Sequence, residues 1–329
     1  MEQLGTSIDP KQVDPDDPDP GKWGHSLANL IEIILPCLDA AGVRSLVEVG
    51  AYAGDLTQLL VDWAAGVGGR VWAIDPAPQD RLVALATERS ELELVRAMSH
   101  NALRSVPVPD AVIIDGDHNY HTVTGELRII AERCEGGALP LLLFHDVCWP
   151  HARRDAYYAP ELIPEDERQP MVEGGGVFPG DPGLRPGGLP YKWPAAREGG
   201  PRNGVLTAVE DFVAERGGLE FAIVPAFFGF GAVWEQTAAW ADDVAAVLEP
   251  WNRHPVLERL EANRVHHLAS AHHQMVHLAQ AWQRVERQEA FLRKLLVSKT
   301  FGLAEQLSKL RQGGEPAFSK DEVRRVLGD

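Results

Sequence analysis

Five short apolar runs set at the pace of one strand per helix constrain this chain more than any other feature. "SLVEVG" (45–50), "RVWAIDP" (70–76), "LELVRAM" (92–98), "DAVIIDG" (110–116) and "ALPLLLFHD" (138–146) are each too short for a helix and rich in branched residues. Between them lie "DLTQLLVDWAAG", "DRLVALATER" and "TVTGELRIIAERC", whose apolar residues recur at helical spacing. Strand, helix, strand at this rhythm predicts a parallel sheet covered on both faces by helices. After a gap of almost sixty residues the pattern resumes with a helix, "VLTAVEDFVAERG", and two closely joined strands, "LEFAIVPA" and "FGFGAVWEQ". The expected fold is α/β: a Rossmann-like, mostly parallel sheet of seven strands, closed by an antiparallel terminal hairpin and followed by a helical extension.

The domain plan follows from composition shifts. Residues 1–24 are dense in Pro and Asp with almost nothing to bury, and read as a mobile tail. Residues 25–236 hold the sheet, with 147–204 as an insertion rich in Gly, Pro, Arg and aromatics; its first part reads as a lid and 174–204 as a flexible strap. Residues 237–329 read as helical. Val265, Leu268, Met275, Ala279, Trp282 and Leu296 recur near heptad spacing, and Leu278, Val285 and Leu292 widen the stripe, which points to a homo-oligomer through these helices. His266, His267, His272, His273 and His277 share this stretch, but no acid or cysteine completes a compact metal site, so they read as solvated or interface residues.

The net charge of −17 argues against nucleic acid, since phosphate binding wants a basic stripe and none is present. Three cysteines fit neither a disulfide framework nor a metal spacing, and no run approaches the roughly 20 apolar residues of a membrane span. A cytoplasmic protein with reduced thiols and no membrane partner is expected.

Strand ends on one edge of a parallel sheet converge on a cleft. Glu48 and Asp75 end the first two strands there. The turn "VEVGAYAGDL" places Gly50, Ala51, Tyr52 and Gly54 where the backbone can approach a ligand. The spacing is G-x-x-x-G, not the dinucleotide fingerprint, and the acid two residues ahead of Gly50 would repel a pyrophosphate and attract an amino group. Asp75 is placed to accept from ribose hydroxyls. Together they describe a cationic nucleoside; taken singly, both acids could merely cap helices.

The segment "IIDGDHNYHTVTGEL" (113–127) drives an apolar run straight into titratable side chains. Asp115 ends the fourth strand, and His145 with Asp146 the fifth. Neighbouring strands lie about 5 Å apart, so these three can meet around one small cation, Mg²⁺ or, given the imidazole, Mn²⁺. His145 could instead hydrogen-bond Asp115 without being a ligand. Directly after the fifth strand, Arg153, Arg154, Tyr157 and Tyr158 fall within reach of the cleft mouth. Arginine forks suit carboxylate or phosphate and tyrosine faces suit a sugar ring, so these four read as substrate residues.

"EVGAYAG" followed by "AIDP" resembles the first two motifs of class I S-adenosylmethionine-dependent methyltransferases, over roughly residues 25 to 236. The resemblance implies S-adenosyl-L-methionine as cofactor, with Glu48 and the Gly50 to Gly54 loop at its methionine end, Asp75 at the ribose and Ser99 at the adenine edge. Asp115 borders the same pocket. The cluster at the next two strand ends looks like that of the metal-dependent sugar O-methyltransferases of bacterial natural-product pathways, in the group that includes cephalosporin-hydroxylase-like proteins. That likeness implies Asp115, His145 and Asp146 as metal ligands and a glycosidic small-molecule hydroxyl as acceptor. This chain departs from it in carrying His145 where relatives often have an acid. For the general base the likeness offers Asp117 or His118; a histidine's ordinary pKa, about 6.5, suits proton removal near neutrality and favours His118. Two other readings keep the fold: a metal-independent O- or N-methyltransferase of small molecules, and a non-catalytic scaffold.

Overall fold

The computed structural model describes residues 25–312 and 319–328. The expected tail, 1–24, lies outside the described residues. After a 3₁₀ turn at Leu27–Leu30 the elements run α1 (Ile31–Ala40), β1 (Ser45–Val49), α2 (Asp55–Val67), β2 (Arg70–Ile74), α3 (Asp80–Glu88), β3 (Leu92–Val95), α4 (Ser99–Ser105), β4 (Ala111–Ile114), α5 (Tyr120–Arg133) and β5 (Leu141–Phe144). The insertion contributes a small antiparallel pair, β6 (Gly175–Val177) and β7 (Leu189–Tyr191), before α6 (Val205–Arg216), β8 (Leu219–Val224) and β9 (Phe230–Glu235). The chain then continues through α7 (Ala241–Leu248), α8 (Pro255–Val297), α9 (Lys299–Gln312) and α10 (Lys320–Leu327).

The main sheet has seven strands in the order β3-β2-β1-β4-β5-β9-β8. The first five are parallel, and β9 runs antiparallel to both β5 and β8. The expected Rossmann-like sheet with its reversed hairpin and helical extension is therefore present. Both faces are covered, which is why the strands read as near-continuous apolar runs and not as alternating ones. Leu46, Ala73, Ile113 and Leu143 pack on one face with α1, α2, α3 and α7; Val47, Ile74, Ile114 and Phe144 pack on the other with α4, α5 and α6.

Register sets up the site. Val49 pairs with Ile74 and with Ile114, and Ile114 pairs with Phe144, so four strands end level with one another. One further rung, Gly50 N–H to the Ile74 carbonyl, Asp115 N–H to Val49 and His145 N–H to Ile114, fixes the residues that step off the edge. Gly50, Asp75, Asp115 and His145 thus stand in a row.

In place of the flexible strap expected over 174–204, the structure shows a folded insertion. Arg154, 1% exposed, donates to the carbonyls of Ala195, Pro182 and Gly183, which ties the base of the insertion to its outer turn. Asp155 is wholly buried and accepts from the N–H groups of Tyr120 and Gly204 and from the Tyr157 hydroxyl; its own N–H donates to Asn203. One carboxylate so joins both ends of the insertion to the start of α5.

The described chain forms two compact units that meet in sequence at 272/273. The first holds the sheet, the insertion, α7 and the opening turns of α8, where Val265 and Ala269 are buried. The second is helical, and leaves Leu278, Trp282, Val285 and Phe291 exposed. Among the described residues no helix is long and apolar enough to cross a membrane.

Candidate active site

The turn after β1 is built on close backbone approach. Gly50 has φ +88°, and a Cβ there would lie 1.9 Å from the Asp115 carbonyl oxygen. Asp75 steadies the turn from the next strand: its carboxylate accepts from Tyr52 N–H at 2.8 Å and Ala77 N–H at 2.7 Å. Each oxygen keeps a second lone pair for a ribose hydroxyl. Gly54, also at positive φ, precedes the first residue of α2, whose unpaired amides face the turn. Ala51 is buried in this turn and Tyr52 is half exposed on it.

Glu48 is 3% exposed, and burial pushes its carboxyl up to about 8, opposed by the hydrogen bond from the Thr57 hydroxyl. A buried acid of this kind is costly to ionise alone and gains when an ammonium or sulfonium group supplies the opposite charge. The donor set of an acid at the end of each of the first two strands, with a glycine turn between, fits a cationic nucleoside.

At the ends of β4 and β5 the structure brings together Asp115, His118 and Asp146, with one donor atom from each lying within 4.8 Å of the others. His118 Nε2 is 3.0 Å from Asp146 Oδ2. Asp146 sits in the left-handed region, φ +59°, an unfavourable backbone conformation for a residue with a Cβ and one found often at functional sites. Burial would raise its carboxyl, but the neighbouring His118 and His145 outweigh that and hold it down at about 2.

His145 lies beside this trio and not within it. Its Nδ1 is 3.0 Å from Asp115 Oδ1 and 3.5 Å from Asp146 Oδ2, while Nε2 meets the Phe227 carbonyl at 2.8 Å. A carbonyl only accepts, so Nε2 carries a proton, and a second proton on Nδ1 satisfies the carboxylates. Burial opposes that charge, but Asp115 and Asp146 raise the imidazole pKa to about 10. The structure thus sets His145 against both acids, while it is His118 that joins Asp115 and Asp146 within reach of one point. Phe227 is fixed in turn, since Glu261 accepts from the N–H groups of Phe227 and Phe228 and pairs with Arg264. Two carboxylates and one imidazole in reach of one point fit a small divalent cation, with oxygen ligands for Mg²⁺ and the nitrogen admitting Mn²⁺.

Asp117 lies outside this trio, accepting from the Thr122 hydroxyl at 3.2 Å and from the Tyr158 N–H at 3.4 Å, and its carboxyl is raised by burial. Of the four expected substrate residues, Tyr158 lies nearest the cluster, with its ring 5.6 Å edge-on from that of His118 and largely exposed. Arg153 pairs with Glu210 and Thr207, and Arg154 and Tyr157 serve the buried framework of the insertion. Sequence reasoning missed His151, which is buried with its ring tilted 4.4 Å from that of His118 and edge-on 4.7 Å from that of Tyr191. Burial lowers its pKa to about 3, so it stays neutral. Its one sequence signal was its position seven residues past the fifth strand.

Residues 47–147 match the family model described as a methyltransferase domain. The chain carries a methyltransferase domain. This span runs from β1 through Asp146 and so includes Glu48, Asp75 and the whole acid and histidine cluster. No curated protein matches the sequence. Among solved structures, the chain is similar to the Podospora anserina methyltransferase PaMTH1 (13% identity, covering 62% of this chain and 78% of that one, TM-score 0.36). It is similar also to Streptomyces venezuelae DesVI (12%, 68% and 99%, TM-score 0.39) and to human N-acetylserotonin methyltransferase (13%, 68% and 59%, TM-score 0.36).

A pH dependence follows from the buried groups. Glu48 and Glu126 both have folded pKa values raised to about 8 by burial, and His145 is raised to about 10. For each, the folded state holds a proton that the unfolded chain gives up, so stability falls as pH rises toward the folded value. His25 and His151 are shifted the other way, to about 4 and about 3, but above pH 6.5 they are largely neutral in both states. Between pH 6.5 and 8 the first three groups act together, and the melting temperature should fall. Glu48→Gln should flatten the slope; a melting temperature that climbs over this window would contradict the burial argument.

Proposed function

We propose that this protein is an S-adenosylmethionine-dependent O-methyltransferase that acts on a hydroxyl of a sugar or glycosylated small molecule with the help of Mg²⁺ or Mn²⁺. The observation that carries the reading is the convergence of Asp115, His118 and Asp146 next to the glycine turn of a methyltransferase domain. Glu48 faces the ammonium end of the cofactor, Asp75 the ribose, and the Gly50 turn lets the chain pass close beneath. Asp115, His118 and Asp146 would hold the cation, while His145 fixes both carboxylates. A divalent ion held there would lower the pKa of an acceptor hydroxyl. With His118 among the ligands, Asp117 takes the acceptor proton; its raised pKa makes it a better base than an ordinary aspartate. The exposed ring of Tyr158 offers a face for a sugar. The reading includes a cytoplasmic homo-oligomer joined through the helices after residue 273.

The 3.0 Å contact of His118 Nε2 with Asp146 favours a second reading, a metal-independent transferase in which Asp146 orients His118 as the base. Chelation separates the two. Release of S-adenosylhomocysteine should be followed over a panel of simple glycosides and polyphenols, before and after EDTA treatment. The first reading expects a loss of about 10²-fold or more, restored by Mg²⁺ or Mn²⁺. Turnover that survives EDTA but not His118→Asn establishes the second, and cofactor binding without turnover on any acceptor defeats both.

A further inference from the structure

The C-terminal helix α8 reaches the site through one buried acid. Glu261, in its second turn, is 8% exposed and lies well past the residues matched as a methyltransferase domain. Both carboxylate oxygens are fully engaged. Oε2 accepts from Phe227 N–H at 3.1 Å and from Arg264 Nε at 2.6 Å, and Oε1 from Phe228 N–H at 2.8 Å and from Arg264 Nη2 at 2.6 Å. The same guanidinium lies 4.4 Å over the Phe228 ring, so the group that neutralises the acid also covers the turn it holds.

That turn needs holding. Phe227 and Phe228, in the loop that joins β8 to β9, have φ +50° and +67°, two consecutive left-handed residues that each carry a Cβ. The conformation is unfavourable for such residues and persists only where the surrounding bonds over-determine it. Their amides go to one carboxylate, and their carbonyls go to the chain that follows β5. The Phe227 carbonyl meets His145 Nε2 at 2.8 Å, and the Phe228 carbonyl accepts from Cys148 N–H at 2.7 Å. His145 and Cys148 bracket Asp146, itself left-handed at φ +59°. Gly229 permits the close fit, since a Cβ there would meet Cys148 N at 2.6 Å. Two peptide units thus connect α8 to both sides of Asp146, and His145 Nδ1 extends the line to Asp115 at 3.0 Å.

We propose that Glu261 is a positioning residue for the acid cluster: by fixing the Phe227 and Phe228 peptides it holds the His145 imidazole and the Asp146 backbone where Asp115, His118 and Asp146 can converge. Its effect on metal binding rests on the cation reading given above. Bonds that orient a ligating carboxylate matter nearly as much as the ligand itself, and losing one weakens metal binding by about 10- to 100-fold. The role belongs to the carboxylate, because Val265 and Ala269 are buried on the same stretch of α8 and anchor it by apolar packing. Glutamine at 261 would keep the size but offer one acceptor oxygen in place of two, and its amide nitrogen would face a second donor.

The test compares wild type, Glu261→Gln, and Glu261→Ala with and without Phe227→Gly. One readout is the His145 imidazole N–H, followed by NMR in protein carrying isotope-labelled histidine and assigned by its absence in His145→Gln. The Phe227 carbonyl should shelter it in wild type, and Glu261→Gln should speed its exchange with solvent by about tenfold or more. The other is Mn²⁺ affinity by electron paramagnetic resonance, expected to fall about 10-fold in Glu261→Gln and about 100-fold in Glu261→Ala. S-adenosylhomocysteine affinity should stay within about threefold, because Asp75 and the glycine turn are held by other bonds. Adding Phe227→Gly to Glu261→Ala should restore about tenfold of the Mn²⁺ affinity, since glycine takes the left-handed turn without a clamp. Either readout unchanged in Glu261→Gln overturns the proposal, as does a wild type with no sheltered imidazole N–H. A variant that loses Mn²⁺ and S-adenosylhomocysteine together marks a purely structural acid and overturns it too. Should Glu261→Ala not fold, the near-isosteric Gln variant decides by itself. A wild type that binds no Mn²⁺ overturns the cation reading, and imidazole exchange then decides the positioning alone.

Discussion

Asp115→Asn is expected to lower methyl transfer by about 10³-fold at saturating Mg²⁺ or Mn²⁺, while S-adenosylhomocysteine affinity stays within about threefold of wild type. The reasoning is electrostatic. Asn keeps the size of the side chain and can still meet His145 Nδ1, 3.0 Å away, but it removes one of the two negative charges that would hold a cation. A Lewis acid at a reacting oxygen is worth several kcal/mol of barrier, and about 4 kcal/mol corresponds to about 10³-fold in rate. His145 also loses one of the two carboxylates that sustain its charge. Calorimetry with the product and steady-state rates on the same preparation make the comparison. Activity within about tenfold of wild type would remove the metal from the mechanism and leave the His118 and Asp146 pair as the base.

Gly50→Ala should have the largest effect on the fold itself. Its added methyl would sit 1.9 Å from the Asp115 carbonyl, with Asp115 C and Gly116 Cα also inside 3 Å, all main-chain atoms that cannot rotate aside. The position is also at φ +88°, where a side chain is strained whatever the space. Relief requires β1 and β4 to part at the rung where Asp115 N–H meets Val49 O, which would disperse the catalytic row. A loss of about 4 kcal/mol or more is expected, a fall of about 10 °C or more in melting temperature if the variant folds at all. Gly54→Ala is the control: its methyl would meet the flexible Leu82 Cδ1 at 3.3 Å, so its cost should be about half or less. Equal melting temperatures for Gly50→Ala and wild type would show that the turn is more pliant than its geometry allows.

The strands and their acid-bearing ends were legible because a doubly covered parallel sheet writes itself as short apolar runs, and its period is local. The hairpin that closes the sheet was legible from spacing for the same reason. The allocation of roles inside the cluster was not. Strand pairing alone brings Asp115 and His145 together, and the sequence suggests no more; whether the imidazole ligates or clamps depends on what its other nitrogen meets, and Phe227 lies far along the chain. His118 reaches Asp146 through the loop after β4, whose path no periodicity records. Arg154 and Tyr157 looked like substrate groups because charge and aromaticity next to a cleft suggest ligand binding, yet their partners are distant carbonyls and Asp155.

The buried clamp at the neck of the insertion bears on how such a chain could diversify. Asp155 bonds Gly204, and Asn203 bonds Asp155, so the polypeptide leaves the catalytic layer and rejoins it through one shared knot. Whatever lies between is mechanically a closed cassette. Its outer turns could vary in length or composition while Tyr158 and Tyr191, which meet His118 and His151, keep the site below in place, which makes those turns the natural target for retuning acceptor choice.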